Sequence, residues 1–193
     1  MAAPSLPTRQ QIVKFGCHDT RRNLPAVSSS KRGESNFVAK FEKVYLAAEL
    51  KKLAKLRGFA TGREFALEGF GRADVLFMAW NPTAGSEDFT ALAMKSLQLT
   101  AIEAKLKDWR KGLMQASRYR FFANRAILVL PPATAATAIG FLETFRALNV
   151  GLWEFDSDAG SLRRHFTPRF GRPLNTKARE KAVHLISGKL KFR

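Results

Sequence analysis

The sequence has one cysteine, Cys17, three histidines, and only 16 acidic residues in 193. A lone cysteine cannot close an intrachain disulfide, and it excludes a zinc site built on cysteines. His18, His165 and His184 are far apart in the chain, so Cys17-His18 reads as a surface dipeptide with no assigned role. No apolar run approaches the roughly 20 residues that a membrane-spanning helix needs, and no apolar signal-type segment follows the start. A soluble intracellular protein without a membrane partner is therefore expected. Internal repeats and low-complexity tracts are also missing.

Positive charge is abundant. Lysine and arginine together number 33, giving a formal net charge of +17. Such a surplus favours a polyanionic partner, with DNA expected first and RNA second. The 46% hydrophobic content supports a packed core. The length suits one domain with extensions, because domains commonly hold about 100–200 residues.

Residues 1–35 combine Pro4, Pro7, Pro25, the run Ser28-Ser29-Ser30 and six Lys or Arg without a sustained apolar period, which reads as a flexible basic arm. From Asn36 the residues Phe37, Phe41, Val44 and Ala48 recur at helical spacing until Arg57-Gly58. Residues 63–69 and 72–80 read as strands joined by a tight turn at Glu68-Gly69-Phe70-Gly71. Residues 81–98 read as an insertion, and a third strand starts near Leu99. Asp108 is a natural N-cap for a second helix over 109–123. The unbroken apolar run 126–130 suits a strand buried on both faces, followed by a helix over 134–148 and a strand over 151–155. The expected class is α/β, in the order αβββαβαβ, with a mixed central sheet flanked by helices. The core spans 36–158, and residues 159–193 form a basic C-terminal extension. Within it, residues 163–193 carry ten Lys or Arg against one acid, Glu180.

Charge is rare in buried strands, yet Asp74 lies in the second strand and Glu103-Ala104-Lys105 in the third. Alternation sets Glu103 and Lys105 on one face and Ile102, Ala104 and Leu106 on the other. Two carboxylates that converge beside an ammonium group suit a hard divalent cation and a phosphate.

The αβββαβ order, Asp74 and Glu103-Ala104-Lys105 resemble the restriction-endonuclease-like PD-(D/E)XK nuclease superfamily over about residues 36–158. The resemblance implies that Asp74 and Glu103 are catalytic and bind Mg²⁺, with Mn²⁺ as a substitute, and that Lys105 assists the attacking water. The Ala104 carbonyl is a further candidate ligand. Many members add an acidic residue on the first helix, here Glu49 or Glu42, and a glutamine on the helix after the third strand, here Gln115. Ala73 stands where the name-giving proline would be. The 28 residues between Asp74 and Glu103 imply a loop insertion, at about 0.6 kcal/mol per doubling of loop length.

Along the second helix Lys111, Gln115, Arg118 and Tyr119 share a stripe that would follow a phosphate backbone, and Arg163, Arg164, Arg169 and Arg172 in the tail would add phosphate contacts. The expectation is a metal-dependent DNA endonuclease of resolvase or restriction-like type, with a homodimer left open. The alternative is a non-catalytic nucleic-acid-binding or nucleoprotein-assembly protein on the same fold.

Overall fold

Buried apolar side chains fall into two separate clusters, one on each face of a single sheet. The structure is a computed structural model and describes residues 13–16, 29–53, 58–80 and 96–187. Among them seven strands lie side by side in sequence order: β1 Val13–Gly16, β2 Gly58–Leu67, β3 Gly71–Trp80, β4 Gln98–Ala104, β5 Arg125–Leu130, β6 Val150–Asp156 and β7 Ser161–Phe166. Strands β2, β3 and β4 form an antiparallel meander, β4, β5 and β6 are parallel, and β7 returns antiparallel. Parallel neighbours need crossovers. These come from α2 Trp109–Tyr119, between β4 and β5, and from α3 Pro132–Ile139 with α4 Leu142–Ala147, between β5 and β6. Helix α1 Ser29–Leu53 precedes β2, and α5 Thr176–Ser187 follows β7.

The chain is thus α/β, with a mixed sheet flanked by helices. Phe37, Phe41 and Tyr45 of α1 cover one face, against Val75, Phe77, Ile102, Val129, Trp153 and Phe155. The other helices cover the opposite face, where Leu113 and Ala116 of α2 and Ala182 and Ile186 of α5 meet Leu76, Leu99, Ala101 and Leu128. Strand β5 is buried on both sides because its run is apolar at odd and even positions alike. No helix among the described residues is long and apolar enough to cross a membrane.

The structure departs from the expected boundaries in four places. Helix α1 begins at Ser29, inside the segment read as a flexible arm, and β1 also lies there. Strand β2 begins at Gly58 rather than at 63. The helix expected over 134–148 is two short helices, with the first starting at Pro132 and a turn at Gly140-Phe141. The fourth difference is the largest. Residues 159–187 are not an extension to a core that ends at 158: β7 pairs with β6, and α5 buries Ala178, Ala182, Val183 and Ile186. Edge position hides β7 in the sequence, since Arg163 and Arg164 are exposed and apolar alternation is absent. Cys17, His18 and residues 81–95 of the expected insertion lie outside the described residues.

Candidate functional site

Pairing between β3 and β4 ends at Val75↔Ile102. One step further along the same register, Asp74 comes opposite Glu103. There the Asp74 side chain takes over from the ladder, with Oδ2 accepting from the Ala104 N–H at 2.8 Å. The other neighbour of β3 is distorted at the same point. On β2 the pairs Arg63↔Val75 and Phe65↔Ala73 flank a gap at Glu64 and Asp74, and Glu64 adopts φ 53°. The left-handed backbone reverses the pleat. Thr61 faces α1 before it, and Phe65 and Leu67 face the opposite cluster after it.

Lys105 Nζ lies 2.9 Å from Glu103 Oε1, and Glu103 is 1% exposed. The Tyr119 hydroxyl from α2 contacts the other oxygen, Glu103 Oε2. The sequence therefore brings Asp74, Glu103 and Lys105 to one place through β-pairing and strand alternation, and α2 closes over them. Gly112 allows that closure. A Cβ there would lie 2.8 Å from Lys105 Cγ and 2.7 Å from Leu128 Cδ1.

Electrostatics follow from this crowding. Burial and the facing Glu103 carboxylate push Asp74 up to about 7, against the Ala104 N–H and Lys105, with Glu64 adding to the rise. Burial also raises Glu103, opposed by Tyr119 and Lys105 and aided by Glu34. Burial alone would lower Lys105, but Glu103, Asp74 and Glu34 outweigh it and hold the ammonium above its ordinary value. Tyr119 is pushed up by burial and by the same two carboxylates.

Glu34 is the acidic residue of α1 that acts on this cluster. It lines a cleft of about 620 Å³ between Gly33 and Glu34 on α1 and Lys105, Lys107, Asp108 and Lys111 at the entry to α2. The helix-one candidates Glu42 and Glu49 are placed elsewhere. Glu42 is buried, accepting from Thr61 Oγ1 at 3.2 Å and from Arg63 Nε at 2.6 Å. Glu49 accepts from Arg164 at 2.9 Å. Neither meets Asp74 or Glu103 through these bonds. The sequence offered no signal for Glu34, because the helix was read from Asn36.

The stripe expected on the second helix divides in two. Lys111 and Arg118 are exposed, and Lys111 lines the cleft. Tyr119 is fully buried against Glu103, which corrects its reading as a surface contact. Gln115 is half-buried one turn before Tyr119, and its Oε1 is buried without a hydrogen-bond partner among the described residues. Arg163, Arg164, Arg169 and Arg172 are exposed, as a phosphate contact requires, but they lie on β7 and the loop after it rather than on a tail. Arg164 is also committed to Glu49 and stacks 4.6 Å from the Trp153 ring centroid.

Among the described residues no group of three or more His, Cys, Asp or Glu gathers to hold a metal. The donors present are nevertheless of one kind. Asp74 and Glu103 are carboxylates, Ala104 supplies a carbonyl, and neither cysteine nor histidine joins them. Two facing carboxylates with one ammonium leave an excess of negative charge that a hard cation would offset. No protein-family model matches the chain, and no curated protein matches it.

Proposed function

We propose that the chain is a restriction-endonuclease-like phosphodiesterase that hydrolyses nucleic acid, DNA first, with Mg²⁺ or Mn²⁺. The observation that carries the reading is Lys105 paired at 2.9 Å with Glu103, at the point where Asp74 faces Glu103 across diverging strands. The net charge of +17 supports a polyanionic substrate. Asp74, Glu103 and the Ala104 carbonyl would hold the ion, with Glu34 of α1 on the wall of the adjoining cleft. A bound divalent ion supplies Lewis-acid polarisation of a phosphate oxygen and lowers the pKa of water.

The chain's own groups define the rest. Lys105 stays protonated at neutral pH, so it donates a hydrogen bond to the attacking water or to the phosphate and does not accept a proton. Tyr119 fixes the Glu103 carboxylate from the α2 side. Lys107 and Lys111 on the cleft wall offer charge to a neighbouring phosphate.

One observation favours a non-catalytic nucleic-acid-binding protein as the second reading: both Glu103 oxygens already have partners, Lys105 and Tyr119. Incubation with plasmid, branched and single-stranded DNA and with RNA, in Mg²⁺, Mn²⁺ or EDTA, separates the two. Cleavage is expected in Mg²⁺ and Mn²⁺ and absent in EDTA and from Glu103→Ala. Undiminished cleavage in EDTA would defeat the proposed mechanism, whereas binding without cutting of any substrate would favour the second reading.

A further inference from the structure

After β7 the chain passes through the segment Thr167-Pro168-Arg169-Phe170-Gly171-Arg172, which is pinned to the core by several bonds. Trp153 Nε1 donates to Thr167 Oγ1 at 2.7 Å. Gly171 N donates to the Asn124 carbonyl at 2.9 Å, and Asn124 Nδ2 donates back to the Gly171 carbonyl at 3.1 Å. Leu174 N and Asn175 N donate to the carbonyls of Arg120 and Phe121. Slack in the loop therefore does not explain why Arg169, Phe170 and Arg172 all point outward.

Phe170 keeps 43% of its surface exposed. The Arg125 guanidinium carbon lies 3.6 Å from its ring centroid, which covers one face. The open area is then the opposite face and the rim. Arg125 Nε is buried with no hydrogen-bond partner among the described residues, and Tyr45, Glu49 and Arg164 are the other groups that act on this guanidinium electrostatically. Arg125 pairs with Thr100, whereas Glu103 pairs with Leu128. The stack is thus about 10 Å of strand away from the carboxylates, at about 3.3 Å per residue, toward the opposite end of the sheet.

We propose that the Phe170–Arg125 stack, flanked by Arg169 and Arg172, is a platform on which an unpaired base of single-stranded nucleic acid stacks. A phenyl face backed by a cation offers a π surface already held in place, and flanking arginines reach phosphates on either side of the stacked base. Paired bases hide their faces within the duplex, so the platform selects unpaired strands. The site rests on the nucleic-acid reading given above but not on cleavage.

Binding is measured in EDTA, where the proposed cleavage is silent, with oligo-dT, an RNA of equal length, an oligonucleotide with abasic positions, and a duplex. Phe170→Ala and Phe170→Leu are expected to weaken binding to oligo-dT and RNA about tenfold while leaving the duplex affinity unchanged. Phe170→Trp should retain affinity, with its added indole fluorescence quenched on binding. The abasic strand should bind the wild-type protein about tenfold more weakly than oligo-dT and bind Phe170→Ala equally to it. Equal losses on duplex and single strands would overturn the platform, as would no loss at all. Duplex cleavage without single-strand binding would overturn it and leave the proposed function standing. A wild-type protein that binds no nucleic acid in EDTA and cuts none in Mg²⁺ would end both.

Discussion

The Tyr119 hydroxyl lies against the Glu103 carboxylate and also 2.6 Å from the main-chain carbonyl of Arg72, two residues before Asp74. A phenol has one proton, and both neighbours accept when Glu103 is ionised. Burial raises Glu103, and the Tyr119 hydroxyl opposes that rise by favouring the ionised carboxylate. One side chain of α2 thereby fixes the start of β3 and the carboxylate on β4. Tyr119→Phe is expected to lower stability by about 1–2 kcal/mol, since it strips a donor from the buried Glu103 carboxylate and the part-buried Arg72 carbonyl. On the proposed reading it also lowers kcat about tenfold or more with little change in KM, because Glu103 loses its orientation. Urea unfolding and cleavage kinetics check both, and a wild-type kcat would show that Glu103 needs no support from α2.

Asp74 predicts a pH dependence of stability that needs no substrate. Its folded value of about 7 lies above the ordinary 3.8. Between those values the unfolded carboxyl has released its proton while the folded one keeps it, so stability falls as pH rises from about 4 to 7 and levels off above. Glu103 is raised as well and acts in the same direction. Asp74→Asn keeps an acceptor for the Ala104 N–H and removes the charge. It should stabilise the metal-free protein by about 1–2 kcal/mol at pH 8, after discounting for partial exposure, and by little at pH 4. Thermal melts in EDTA at both pH values test this, and a variant destabilised at pH 8 would contradict it.

Much of this centre is legible in the sequence, because it depends on local rules. Strand alternation alone sets Glu103 and Lys105 on one side, and the register of the meander sets Asp74 opposite. Glu34, Glu64 and the burial of Tyr119 depend on other things. Glu34 matters only because α1 starts at Ser29, eight residues before its first apolar repeat residue, Phe37. Glu64 matters through a left-handed backbone that no glycine announces. Tyr119 shares a helical stripe with lysine and arginine, and only the docking of α2 on Gly112 shows that the stripe bends into the core. The final strand and helix were hidden by arginine and alanine at positions where apolar periodicity would have marked them.

Gly112 is where packing and the site meet. Its missing Cβ makes room for the Lys105 stem. Gly112→Ala gains up to about 1 kcal/mol in helix propensity but forces contacts well inside normal separation, an overpacking cost of about 1–3 kcal/mol. Net stability should fall by no more than about 2 kcal/mol, while cleavage falls about tenfold or more as Lys105 is displaced. Gly112→Ala that cuts at the wild-type rate would mean that α2 does not set the position of the lysine.

Arg179 on α5 tests whether the C-terminal segment belongs to the fold. Its side chain is 7% exposed and donates to the carbonyls of Leu97 and, at 3.3 Å, Phe122. Burial lowers its pKa to about 10, so it remains charged at neutral pH. The Phe122 carbonyl lies just beyond the C-terminal turn of α2, where backbone oxygens lack partners and favour a cation. Arg179→Met keeps the apolar stem but strands both carbonyls, for an expected loss of about 2–4 kcal/mol. Arg179→Lys keeps the charge without the fork and should lie in between. Deleting residues 161–193 removes β7 and the apolar face of α5, and the product is expected to unfold at a much lower urea concentration than the full chain or not to fold at all. A truncated protein with a full-length urea midpoint would show that these residues are a charged appendage after all, and that the core closes at β6 without them.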